Sequence, residues 1–217
     1  MSNKDIAEII SVYDSKIVKA YCWGRFKIMH QQFLDEIGQY LPESGQILDM
    51  GCGFGLFSLY YAKKFPGLSI IGIDIDKSRI QMAQKAATLL SLPNVRYVVA
   101  DAITYECGTT LNGGYMLDIV HHISPETVRP LVRKIHALLS PGSRLIIKDV
   151  KTEPAYKRWF TFLLDKLLDP QSQLNYWKEQ DMTDLLIAEG FEVFRHAMVD
   201  ILPYPHILYI CQKNCPD

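Results

Sequence analysis

The stretch Ile47-Leu48-Asp49-Met50-Gly51-Cys52-Gly53-Phe54-Gly55 limits what this chain can fold into more than any other. Ile47, Leu48 and Met50 read as a short buried strand, and Leu56-Phe57-Ser58-Leu59-Tyr60-Tyr61-Ala62 opens a helix directly after it. Three glycines at alternate positions join the two. They allow a tight turn and let a ligand press on the main chain, which a Cβ would obstruct. The helix aims its unbonded N–H groups at the same spot. Asp49 stands at the strand end. A strand, a glycine turn and a helix in this order suit a nucleoside-containing ligand at the carboxyl edge of a parallel sheet.

The spacing narrows the ligand. A P-loop needs a Lys and a Ser or Thr after its last glycine, and Leu56 and Phe57 stand there instead. The dinucleotide fingerprint needs a third glycine at Leu56 or Ser58, depending on where it starts, and neither is glycine. An acid before the turn suits a cationic ligand or one bearing an ammonium group.

The rest of the chain repeats the pattern. Ser69–Asp76 is an apolar strand ending in acids, and Asp74 lies about twenty residues beyond the turn, where a βαβ unit places an acid beside a ribose. Asp76 is read as the cap of the next helix. Val95–Ala100 is a third strand, followed by Asp101 and Ala102. Asp101 suits the amino group of an adenine, or an Asx turn at the strand end. Asn112-Gly113-Gly114 reads as a turn before a fourth strand, Tyr115–Ile123, ending in His121 and His122. Ser124 and Pro125 start a helix. Ser140–Ser143 reads as a turn into a fifth strand, Arg144–Val150. The alternation from 46 to 150 implies a doubly wound parallel sheet.

Outside that core, residues 5–21 and 26–41 read as two amphipathic helices, broken at Tyr21-Cys22-Trp23-Gly24, forming an N-terminal cap over residues 1–42. Tyr13, Tyr21, Trp23 and Arg25 are its candidates to face a ligand. Residues 151–177 read as a helical lid insertion, apolar nearly all round from Tyr156 to Leu168, with Trp159 and Phe162 as acceptor-binding candidates. A helix near 178–189 and an antiparallel strand pair, Phe191–Val199 and Ile207–Cys211, close the single domain. The formal charge of −1 gives no electrostatic grip on nucleic acid. The five cysteines show no zinc spacing, so no metal is expected, and with no signal peptide or apolar run of about 20 residues the chain reads as cytoplasmic.

Together, Ile47–Gly55, Ile70–Asp76, Val95–Ala102, Leu117–His122 and Leu139–Val150 resemble the class I S-adenosylmethionine-dependent methyltransferases of small-molecule type. The resemblance implies a Rossmann-like seven-stranded sheet with one antiparallel strand. It implies S-adenosyl-L-methionine as cofactor, held by Gly51, Cys52, Gly53 and Gly55 at its methionine end and by Asp49 at the ammonium. Asp74 would hold the ribose, and Asp101 with the Ala102 backbone the adenine. Outside what the resemblance assigns, Ile75, His121 through its main chain, and Tyr21 and Arg25 in the cap are further cofactor-binding candidates.

Methyl transfer needs an aligned acceptor and, for oxygen or carbon acceptors, a base. His122 is the catalytic candidate; His30, Glu153 and His206 rank behind it. Tyr13, Trp159 and Phe162 would bind a small apolar or amphipathic acceptor, lipid or polyketide-like. The lid is also a candidate for contact with a membrane surface. Two alternatives stay open: a non-catalytic S-adenosylmethionine sensor or partner subunit, and a nicotinamide-dependent oxidoreductase. The sequence does not fix the oligomeric state.

Overall fold

A computed structural model describes residues 3–153, 162, 174–198 and 205–215. Contacts divide the chain into two compact units, Met1–Gly114 and Tyr115–Asp217. Seven strands form one sheet in the order β3-β2-β1-β4-β5-β7-β6. They are β1 (Gly45–Met50), β2 (Leu68–Asp74), β3 (Val95–Val99), β4 (Leu111–Leu117), β5 (Leu139–Val150), β6 (Phe191–Met198) and β7 (His206–Lys213).

In the first unit β1, β2 and β3 run parallel, with Met50 level with Ile73 and Asp74 level with Val99. Buried Ile, Leu and Met on both faces make β1 and β2 near-continuous apolar runs, as a parallel sheet covered on both sides requires, while β3 exposes Arg96 and Val99. Each such side chain contributes about 1.5–3 kcal/mol by leaving water. The register brings the ends of three neighbouring strands, with Asp49, Asp74 and Asp101, to one edge. α4 (Leu56–Lys64) is buried from Leu56 to Ala62, and α5 (Lys77–Leu89) buries Ile80, Ala83, Ala86 and Ala87. Asp76 caps α5, its Oδ1 accepting from the Ser78 and Arg79 amides at 2.8 and 3.1 Å.

The cap differs from expectation. It holds three helices, α1 (Asn3–Ser11), α2 (Lys16–Ile28) and α3 (Gln31–Gly38). The first break falls at residues 12–15, where Ser15 caps α2. No break occurs at residues 21–24. Gly24 lies inside α2, where its missing side chain faces open space and costs only helix propensity. α1 is tied to α4 by Lys63, 3.0 Å from Asp5. α3 is tied to it by the Tyr61 hydroxyl, which donates to the Leu34 carbonyl at 3.0 Å.

In the second unit β7 pairs antiparallel with both β5 and β6, and is the one antiparallel strand among the described residues. α6 (Pro125–Leu138) buries Val128, Leu131, Val132 and Ile135, and α7 (Glu179–Ala188) buries Met182, Leu185 and Leu186. Two expectations fail around it. The fourth strand begins four residues earlier than predicted and ends at Leu117, so Asn112-Gly113-Gly114 belong to the strand and not to a turn. At Gly114 a Cβ would stand 3.3 Å from the Leu48 carbonyl oxygen, so a close neighbour explains that glycine better than a turn does. His121 and His122 therefore sit on a short 3₁₀ turn, Val120–His122. Residues 140–143 lie within β5, with Gly142 at a φ of +75° accommodating the irregularity. Of the predicted lid, 151–153, 162 and 174–177 are described, while Trp159 and the rest lie outside the described residues; Phe162 is helical and half-buried.

Candidate active site

The glycine turn hangs from the end of β2. The Gly51 and Cys52 amides both donate to the Ile73 carbonyl, at 2.8 and 3.0 Å. Two glycines serve different ends. Gly55 has a φ of +80°, and a Cβ there would stand 2.5 Å from the Tyr97 hydroxyl, so packing excludes a side chain. Gly53 has a φ of +54°, but a Cβ there would meet nothing within 4 Å. The turn is thus tightly packed behind and open in front, where a ligand can lie against its backbone.

Three acids of the first unit stand at or just past the strand ends around this turn. Asp49 is 3% exposed and accepts a 2.7 Å bond from Ser58 Oγ in the first turn of α4. Asp74 Oδ2 accepts from the Gly53 amide at 2.8 Å, and its Oδ1 from the Asp76 amide at 2.9 Å. A carboxylate offers about four acceptor positions, so each oxygen keeps one for a ligand hydroxyl. Asp101 forms the Asx turn foreseen as one of its two readings, accepting from the Ile103 amide at 2.8 Å, and remains exposed. Ala102 is half-buried beside it, and Ile75 is 76% exposed past the end of β2. Burial pushes the Cys52 thiol up, and the neighbouring Asp49 and Asp74 carboxylates push it further. The thiol stays protonated and is a spacer rather than a nucleophile.

The cap meets this turn at a residue that the motif left blank. The Tyr13 hydroxyl donates to the Phe54 carbonyl at 2.8 Å, and the Tyr13 and Tyr21 rings stand edge-on to Phe54 at 6.4 and 5.3 Å. The Arg79 guanidinium covers Phe54 at 5.6 Å, and that of Arg25 covers Phe57 at the same distance. Burial raises the Tyr13 hydroxyl well above its ordinary value. Tyr13 is therefore a neutral latch between cap and turn. Phe54 and Ser58 were missed because the motif constrains only glycines and the acid.

In the second unit the 3₁₀ turn is fastened to the last residues of β5. Asp118 opens this loop at a φ of +56°, unusual for a residue with a side chain. Its amide donates to the Lys148 carbonyl at 2.8 Å, and its carboxylate pairs with Lys148 Nζ, a side chain with no exposure at all. The next residue, Asp149, accepts from the His121 amide at 2.9 Å and pairs with His121 Nδ1. Successive strand residues point to opposite faces, so β5 grips the loop from both. The Asn175 amide donates to the His121 carbonyl at 2.7 Å, and the Tyr176 ring stacks on the His121 ring at 5.7 Å. The main-chain groups of His121, expected to meet the cofactor, thus have partners inside the protein. His122 is exposed, its ring 4.1 Å from that of His121. Of the weaker candidates, His206 is buried, Glu153 is exposed, and His30 precedes α3 with its ring 4.0 Å from Phe33.

A family profile described as "Methyltransferase domain" matches residues 47–142. Carboxy-S-adenosyl-L-methionine synthase of Nautilia profundicola is 26% identical over 198 residues, covering 88% of this chain and 77% of that one. Phosphoethanolamine N-methyltransferase 1 of Arabidopsis thaliana is 30% identical over 174 residues, 77% of this chain. This chain spans 34% of that enzyme's length. Magnesium protoporphyrin IX methyltransferase of Synechocystis, solved with bound SAH, superposes with a TM-score of 0.69 at 20% identity, over 97% of this chain and 93% of the other. Fold, glycine turn and acidic strand ends agree with these likenesses, and none points to the nicotinamide reading. Residues 47–142 thus match a methyltransferase domain, and the fold around them is that of S-adenosylmethionine-dependent methyltransferases.

Proposed function

We propose that this chain is a class I S-adenosylmethionine-dependent methyltransferase that methylates a small acceptor with an apolar body, and that its first unit holds the cofactor along the glycine turn. The observation that carries the reading is Asp74. Each of its oxygens is fixed by one backbone amide beside the open front of Gly53, which suits a pair of ribose hydroxyls. Asp49, behind the turn, is the acid for the ammonium group. Asp101 and Ala102 fall to the adenine, with Gly51, Cys52, Gly53 and Gly55 along the methionine end and Ile75 against the ribose. Bound there, S-adenosylmethionine supplies an electrophilic methyl on a sulfonium. The protein's own task is to align the acceptor and exclude water.

The apolar acceptor is supported by the chain's own cap. Tyr13 and Tyr21 from the cap cluster on Phe54 in the turn. The relatives do not decide the matter, because phosphoethanolamine is polar and magnesium protoporphyrin is a large ring. Phe162 and Trp159 remain proposed acceptor contacts. Proton removal falls to His122, the exposed member of the histidine pair. Asp149 and His121 fix the turn that presents it, so the pair divides into one anchor and one base.

Calorimetry with S-adenosylhomocysteine and with NADH tests the cofactor assignment. Binding of the first and none of the second is expected, and the reverse refutes it. Once an acceptor hydroxyl or carbon acid is found, His122→Ala should lower turnover by about 10²–10⁴-fold while leaving S-adenosylhomocysteine affinity unchanged. Full turnover in that variant reduces His122 to a surface residue.

A further inference from the structure

Among the described helices α2 carries the largest excess of cations. It carries Lys16, Lys19, Arg25 and Lys27 and no acid, in a protein whose formal charge is −1. Val18, Cys22 and Phe26, spaced four apart, are buried and fix which side faces the protein. The opposite side presents Ile17, 82% exposed, and Trp23, 59% exposed. Lys16, Ala20 and Lys27 are exposed with them. Lys27 Nζ lies 5.3 Å over the Trp23 ring. The acids that precede this helix are engaged elsewhere: Asp14 with Lys85, and Asp5 and Glu8 with Lys63. Asp14 also acts on Lys19, so Lys16 and Lys27 are the cations that carry the argument.

We propose that the exposed face of α2 docks on a bilayer surface carrying anionic headgroups. Trp23 suits the boundary between headgroup and acyl chain, where an indole keeps its N–H wet and its rings dry. Ile17 supplies an apolar insertion on the other flank of the face. Lys16, Lys19 and Lys27 have flexible stems that lie along apolar surface while the ammonium groups reach phosphates. A protein partner fits less well, because protein interfaces are depleted in lysine and this face holds two exposed lysines beside its two large apolar side chains. Among the described residues no helix is long and apolar enough to cross a membrane, so the contact is peripheral. The inference stands apart from the acceptor assignment.

Cosedimentation of the full chain with phosphatidylcholine vesicles, with and without phosphatidylserine, at low and high salt, tests it. Binding only to the anionic vesicles, weakened by salt, is expected. Lys16→Glu/Lys27→Glu should cut the bound fraction by at least about tenfold, and Lys16→Arg/Lys27→Arg should preserve it. Ile17→Ser should weaken binding with no change in thermal melting, since that side chain lies outside the core. Three results overturn the proposal: equal binding to neutral vesicles, binding indifferent to charge reversal, or no binding at all. Concentration-dependent self-association that these same variants abolish overturns it too, by making the face a contact between copies.

Discussion

The two halves of the chain carry their candidate residues in geometries built by different physics. Around the glycine turn the geometry comes from the backbone. Amides of Gly51, Cys52 and Gly53 find acceptors in the end of β2, and Gly53 leaves open space in front of them. Around the 3₁₀ turn the geometry comes from charged side chains. Asp118 pairs with Lys148, His121 with Asp149, and farther along Glu189 with Arg129 and Arg133. A backbone cradle has its shape before a ligand arrives and tolerates changes to its flanks. A loop pinned by buried ion pairs fails when one partner is removed, because the other is left charged in a poor solvent. The halves should therefore break differently.

The largest effect should come from Lys148→Ala. It removes the cation from Asp118 in a site with no exposure and should cost about 3–5 kcal/mol in denaturant unfolding. Lys148→Met/Asp118→Asn removes both charges, keeps a residue that accepts positive φ, and should recover most of that loss. A single variant as stable as wild type would mean the loop is not held by the ion pair, and the contrast between the halves would go.

Asp74→Ala should act on the ligand rather than the fold. The turn keeps its bonds to the Ile73 carbonyl, while the charged partner for the ribose is gone. Affinity for S-adenosylhomocysteine should weaken by about 1–3 kcal/mol in calorimetry, with a smaller change in melting temperature. Unchanged affinity would move the ribose elsewhere and leave the first half without its central acid.

The same contrast explains what the sequence disclosed. The glycine turn, the acidic strand ends and the cap of α5 at Asp76 are local patterns, each carried by a few consecutive residues, and all were legible. The grip of β5 on the 3₁₀ turn joins His121 to Asp149 and Asp118 to Lys148, about thirty positions apart, and no local spacing announces it. The predicted fourth strand slid toward the histidines because Ile119, Val120 and Ile123 look as strand-like as Tyr115 and Leu117. What stops the strand is the positive φ at Asp118, a backbone state that the sequence does not mark. The cap was misdivided for a related reason: Gly24 reads as a breaker, yet within α2 it has room and helical neighbours on either side. Phe54 went unnoticed because motif logic leaves that position blank, although it is where the cap converges.

The smallest effect should be the pH response of Glu189, which follows α7. Arg133 first, and Arg129 after it, hold this carboxylate below its ordinary value. Its side chain is 4% exposed, while those of Arg129 and Arg133 are 50% and 71% exposed, so the solvent around the guanidinium groups screens the gain. A depressed carboxylate binds its proton less readily folded than unfolded. The stability it contributes is complete above its unfolded value and drains away as pH falls through the lower folded one. Glu189→Gln removes the ionisation, so the variant should be slightly less stable than wild type at neutral pH and should lose less stability on acidification. Urea midpoints at neutral and acid pH measure both differences. Parallel acid limbs would show that this third ion pair contributes nothing to the second unit, and would confine the side-chain fastening to the loop after β4.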